Sequence, residues 1–185
     1  MIAEGPLDKH GLHIDSPGSM TTVTGLRVDP LNLSVSDIEI IDIAHALSRQ
    51  CRYNGHTEGF LSVARHSIWV AQRLQDRKYG RRTILTGLLH DAAEAYLGDM
   101  IRPLKHGSLG DGYKVVELAL EEKIAEAFGL FSPLPDRVLE ADRFVLMNIE
   151  LPRPHGARHT WHSDPDDDRA AFLNLFERLT KEDYA

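Results

Sequence analysis

Residues 81–105 read RRTILTGLLHDAAEAYLGDMIRPLK, and this stretch decides how the rest of the chain is understood. From Arg81 to Leu97 apolar residues fall on nearly every side of a helix, the pattern of an element lying centrally in a domain. Yet His90, Asp91 and Glu94 stand inside that run. A buried carboxylate is costly unless a cation or several donors answer it, so these side chains require partners from other parts of the fold. Glu94 follows His90 by four residues and Asp91 by three, which puts all three on one side of a continuous helix.

On either side of this segment the chain also reads as helices. Ser36 with Glu39 three residues later is a capping-box signature that opens a helix over 37–49. Residues 61–75 carry Leu61, Val63, Ile68, Val70, Ala71 and Leu74 at helical spacing, and residues 112–128 are amphipathic, closed by Gly129 as a C-terminal cap. Residues 135–151 end at Pro152, and 166–181 form the last helix, with Asp166, Asp167 and Asp168 at its positive end and solvated. Residues 23–28 have modest strand character and fit an edge strand or short hairpin. Residues 1–19 show no apolar periodicity and read as a flexible extension. The expectation is one all-α domain over 20–185, a bundle of about six helices.

The conflict between polarity and position recurs on two other helices. His66 shares a face with Val63 and Val70, and Asp142 falls among Val138, Leu139, Val145, Leu146 and Ile149. Each residue alone has an ordinary explanation, a satisfied core histidine or a capping aspartate. Together, His66, His90, Asp91 and Asp142 project inward from three helices and answer one another if they share one divalent ion. Imidazole nitrogen with carboxylate oxygen suits Mn²⁺, Co²⁺, Fe²⁺ or Zn²⁺. Glu94 beside such an ion is placed to orient a water, take its proton, or protonate a leaving group.

Composition narrows the classes of function. Hydrophobic residues at 42% and charged residues at 26% are ordinary globular values and exclude a disordered chain. Twenty-one Lys+Arg against 28 Asp+Glu give a charge of −7, which argues against a binder of duplex nucleic acid. No apolar run reaches the ~20 residues of a membrane span. The single Cys51 excludes an internal disulfide and a Cys-based zinc site, and a reducing cytoplasm is the default compartment.

The run His90-Asp91-Ala92-Ala93-Glu94, then Gly98-Asp99, then Pro103 and Lys105, resembles the HD-domain metal-dependent phosphohydrolases. Within them it looks most like the bacterial 5′-deoxyribonucleotidases and their phage-encoded relatives. Residues 62–67 resemble the family's first-ligand motif and Glu140-Ala141-Asp142 its last, so the likeness spans roughly residues 38–150. The resemblance implies a divalent cation, often cobalt or manganese, on His66, His90, Asp91 and Asp142; Mg²⁺ belongs to the same set of candidates. It implies Glu94 as the acid/base group and Asp99 as a contact to deoxyribose. The family's arginine–tryptophan pair has its nearest equivalent in Arg52-Tyr53, with tyrosine for tryptophan and a spacing one residue shorter; Arg49 competes for that place. Arg52 and Lys105 would offset phosphate charge, and an arginine fork is the better geometric match.

These features lead to a phosphomonoesterase acting on deoxynucleoside 5′-monophosphates. Two alternatives stay open: a dNTP triphosphohydrolase or nucleotide pyrophosphohydrolase, and a non-catalytic nucleotide-binding module. Relatives of this kind are often dimers, and the apolar helices permit a helical homodimer interface. The histidines at 155, 159 and 162 read as a solvated loop better than as a second metal site.

Overall fold

The computed structural model describes residues 18–150 and 162–181. The extension expected over 1–19 lies almost wholly outside them, as do His155 and His159, while His162 is exposed. The described chain opens with an antiparallel hairpin, β1 (Met20–Thr21) and β2 (Arg27–Val28), in the register Met20↔Val28 and Thr21↔Arg27. Its turn closes with the Gly25 N–H on the Thr22 carbonyl at 3.0 Å, and Gly25 takes a φ of 87° that costs glycine little. Thr24 then donates from its backbone N–H (2.9 Å) and its hydroxyl (2.7 Å) to the two oxygens of buried Asp42.

Among the described residues eight helices follow: α1 (Ile40–Arg49), α2 (Val63–Asp76), α3 (Arg81–Leu88), α4 (Glu94–Leu97), α5 (Arg102–Lys105), α6 (Gly110–Phe128), α7 (Asp136–Val145) and α8 (Pro165–Thr180). The described residues are mostly helical with one small sheet, and no described helix is long and apolar enough to cross a membrane. The excess over six arises within 81–105, where the single helix expected to Leu97 breaks. After Leu88 the chain tightens into i→i+3 turns: Ala92 N–H to the Leu89 carbonyl (3.0 Å), Glu94 to Asp91 (3.0 Å), Tyr96 to Ala93 (3.1 Å). His90 supplies a local cause. Its Nδ1 donates at 2.8 Å to the Gly87 carbonyl, the acceptor that a straight helix would offer to the N–H of Asp91.

Other boundaries also move for identifiable reasons. The capping box forms at Ser34 and Asp37, with the Ser34 N–H donating to Asp37 Oδ2 at 3.1 Å, and opens only the single turn Val35–Asp37. Ile38 and Glu39 are extended, which turns the Ile38 side chain into the core, so α1 begins at Ile40. Gly129 ends α6 in the left-handed conformation, as expected. Past Val145 the α7 axis continues through Leu146–Glu150 with wider i→i+5 bonding.

The most connected element is α2, packed against α1, α3, α7 and α8. Eight of its 14 residues are buried, His66 among them. Ser62 caps it by accepting from the Arg65 N–H (2.9 Å) and also donates to Asp168 on α8. Asp168 pairs with Arg65 and is completely buried, so the acidic run at 164–168 is only partly a solvated helix start. Asp164 does cap α8, accepting from Asp166 and Asp167.

Helices α2 and α3 meet at Gly87, where an added Cβ would lie 2.3 Å from Leu74 Cδ1. Gly87→Ala is expected to lower stability by about 1–3 kcal/mol through overpacking. Gly112→Ala, whose Cβ would meet nothing within 4 Å, should leave it unchanged or slightly raised. Thermal melts of the two variants check this, and equal midpoints would show that the α2–α3 contact has room for a methyl group.

Candidate metal centre and adjoining cavity

His66, in the first turn of α2, faces His90 from the tight turn between α3 and α4, with the two Nε2 atoms 3.3 Å apart. Asp91 places Oδ1 3.3 Å from His90 Nε2 and Oδ2 3.5 Å from His66 Nε2. From α7, Asp142 brings Oδ1 to 3.1 Å from His66 Nε2 and 4.0 Å from His90 Nε2. Ligand atoms of His66, His90 and Asp91 all lie within 4.8 Å of one another, and this group could hold a metal ion.

The outer ring nitrogens decide where the protons sit. His90 Nδ1 meets the Gly87 carbonyl, which can only accept, so Nδ1 carries the hydrogen. His66 Nδ1 lies 2.6 Å from Glu150 Oε1. Burial pulls Glu150 upward, but the hydrogen bond and charge of His66 and the charge of Arg52 outweigh it and hold the carboxyl at about 2. Glu150 is therefore an acceptor, and His66 donates to it from Nδ1. A neutral ring with its hydrogen on Nδ1 would present an Nε2 lone pair, and the two Nε2 atoms face each other beside Asp91 and Asp142. A divalent cation held by His66, His90 and Asp91 would answer both nitrogens at once, and a histidine whose other nitrogen donates to a carboxylate or carbonyl is the usual arrangement behind such a ligand. Asp142 lies below the ordinary carboxylate range: burial opposes this, and the His66 hydrogen bond with the charges of His90, His66 and Arg52 prevails. Burial and Arg52 depress His66, yet hydrogen bonds to Asp142 and Glu150 leave it raised overall.

A cavity of about 570 Å³ opens beside this cluster, lined among others by Arg52, Tyr53, Asp91, Glu94, Asp99, Lys105 and Asp142. Seven of the nine residues singled out in the sequence line it. The other two, His66 and His90, touch Asp91 and Asp142 from the buried side. Glu94 is buried with Oε2 lacking a hydrogen-bond partner; burial, then the charges of Asp91 and Asp99, push it up to about 10. Burial likewise raises Asp99. Arg49 is not part of this wall, because it pairs with Asp166 at 2.8 Å and ties α1 to α8. Lys105 lines the cavity with its charge already answered, its Nζ 2.7 Å from Glu117 Oε1.

Arg52 and Tyr53 occupy a short turn, Arg52–Gly55, in a loop pinned at its base by Arg52 N–H to the Leu61 carbonyl (2.9 Å) and Val63 N–H to the Gln50 carbonyl (3.1 Å). Tyr53 has φ 56° and Asn54 φ 51°, left-handed values that cost a non-glycine residue about 1–3 kcal/mol. Side-chain bonds offset that strain. Arg52 Nε donates to Glu150 Oε2 at 3.1 Å, and the Tyr53 hydroxyl donates to the same oxygen at 2.7 Å.

Sequence reasoning overlooked Glu150 and Gln50, whose Nε2 donates to the Glu94 carbonyl at 2.8 Å. On a regular helix Glu150 would lie ~80° round from Asp142. The wider turn over Leu146–Glu150 advances less per residue and brings it back beneath the site. An acidic residue beside Ile149 near a helix end was the one available signal.

No family model matches the chain. It is 41% identical over 123 residues to the uncharacterized protein RCAP_rcc00048 of Rhodobacter capsulatus, covering 64% of this chain and 62% of that protein. It is 36% identical over 114 residues to the uncharacterized protein YfdR of Escherichia coli, covering 62% and 60%. The matched part thus spans about three fifths of each curated relative.

Saturating Mn²⁺ is expected to raise the melting temperature, since an ion held at 100 times its Kd adds about 2.7 kcal/mol. His90→Ala should abolish the shift. A proton competes for the raised His66, so the shift should shrink as pH falls from about 8 toward about 5.5. Indifference of the melt to Mn²⁺, Co²⁺ and Zn²⁺ would contradict the metal reading.

Proposed function

We propose that this chain is a metal-dependent phosphohydrolase of the HD-domain type that releases the 5′-phosphate of deoxynucleoside monophosphates. The observation that carries the reading is the pair of facing Nε2 atoms 3.3 Å apart between Asp91 and Asp142, beside a cavity that also holds Arg52 and Glu94. His66, His90, Asp91 and Asp142 would hold one divalent ion, with Mn²⁺, Co²⁺, Fe²⁺ or Zn²⁺ favoured by the nitrogen and oxygen donors and Mg²⁺ also to be tried. Such an ion supplies Lewis-acid polarisation of a phosphoryl oxygen and a more acidic water.

The remaining steps belong to the protein's own side chains. Arg52 turns its Nε to Glu150, holds NH1 3.7 Å from Asp91 Oδ2, and would offer its terminal nitrogens to a phosphate at the cavity wall. Glu94 sits beside Asp91 with an unpartnered oxygen and holds a proton for the departing nucleoside oxygen. Tyr53 and Asp99 line the space left for sugar and base. Lys105, tied to Glu117, shapes the wall and is a secondary source of positive charge. This arrangement fits a small phosphate ester in a cavity of nucleotide size.

A panel of dNMPs, NMPs and dNTPs, assayed after chelation with Mn²⁺, Co²⁺, Mg²⁺ or Zn²⁺ restored, tests the proposal. Phosphate from dNMPs is the result expected. Glu94→Gln should keep the Mn²⁺-dependent melt shift and lose about 10²–10⁴ in turnover. Pyrophosphate or triphosphate from dNTPs would replace the reading with a triphosphate-directed one, and binding without turnover in every metal would replace it with a binding module.

A further inference from the structure

Glu150 was assigned no role by its sequence position, yet it is buried and each of its oxygens serves a different part of the site. Oε1 accepts from His66 Nδ1 at 2.6 Å. Oε2 accepts from Arg52 Nε at 3.1 Å and from the Tyr53 hydroxyl at 2.7 Å. Arg52 in turn brings NH1 to 3.7 Å from Asp91 Oδ2, which returns the chain of contacts to the ligand cluster. We propose that Glu150 is the positioning residue that joins the two halves of the site, fixing the metal-ready tautomer of His66 with one oxygen and the strained Arg52-Tyr53 turn with the other.

Counting donors and acceptors shows why a carboxylate is needed here. It has two equivalent accepting ends, and three donors converge on it. With Oε1 taken by His66 Nδ1–H, Nε2 is the His66 nitrogen left to face His90 and Asp142. With Oε2 taken by Arg52 and Tyr53, the left-handed Tyr53 backbone is held in place although nothing in its own φ favours it. The amide of a Glu150→Gln variant would have only one accepting end. If its oxygen faced His66, its NH₂ would meet the Nε–H of Arg52, donor against donor. If it flipped, its NH₂ would meet His66 Nδ1 and drive the ring proton to Nε2, the atom needed for the ion. Either way one half of the site fails, and the two halves cannot both be kept.

This inference rests on the proposed metal reading, and the experiment separates the two. Mn²⁺ affinity is measured by calorimetry for the parent chain, Glu150→Gln and Tyr53→Phe, and binding of inorganic phosphate is measured on each Mn²⁺-loaded protein. Nitrogen-15 spectra of His66 report its tautomer without metal. Glu150→Gln is expected to weaken Mn²⁺ about 10–100-fold and to place protons on His66 Nε2, whereas Tyr53→Phe weakens phosphate and leaves Mn²⁺ within about twofold. If Glu150→Gln binds Mn²⁺ as the parent does and His66 stays Nδ1-protonated, the role of Glu150 is overturned while the metal site stands. If the parent itself takes no Mn²⁺, the metal reading falls and this inference falls with it. Should Glu150→Gln fail to fold, the parent suffices: a protected, downfield Nδ1–H proton on His66 is expected, and its absence overturns the proposal.

Discussion

Burying His66 completely in the first turn of the most connected helix is the constraint around which the rest is arranged. An imidazole with no access to solvent must find a partner for each nitrogen inside the protein. Nδ1 finds Glu150, carried to it by the widened turn at the end of α7. Nε2 faces His90 and Asp91 from the α3–α4 turn and Asp142 from α7. The fold meets the first demand with a hydrogen bond and concentrates negative potential at the second.

The break between α3 and α4 belongs to the same solution. A straight helix through Leu97 would present His90, Asp91 and Glu94 on a regular spiral. By taking the Gly87 carbonyl for its own Nδ1, His90 tightens the backbone that carries Asp91 and Glu94. Asp91 then reaches both imidazoles, and Glu94 lines the neighbouring cavity from the start of α4. Local geometry and ligand placement have one origin here.

Much of this was legible from residue type and period alone. The helical class, the burial of His66, and the convergence of His66, His90 and Asp91 follow from polar residues sitting on apolar stripes. The convergence of Arg52-Tyr53 on the same cavity needed family resemblance, because a turn with left-handed tyrosine has no periodic signature. Glu150 was hidden for a different reason: a single wide turn changes which face a residue occupies, and sequence periodicity assumes that no such turn exists. The neutralisation of Lys105 by Glu117 was hidden because it depends on how α5 lies against α6, which the spacing of either segment does not specify.

The hairpin at the start of the described chain bears on where the cooperative unit begins. Asp42 lies in the first turn of α1, buried, and Thr24 supplies hydrogen bonds to both of its oxygens. Removing Thr24 would strand a carboxylate in the interior, a cost comparable to losing a core side chain. Residues 20–28 are therefore a lid on α1 and an integral part of the folding unit, so its minimal boundary lies upstream of the first helix, at a pair of strands only two residues long.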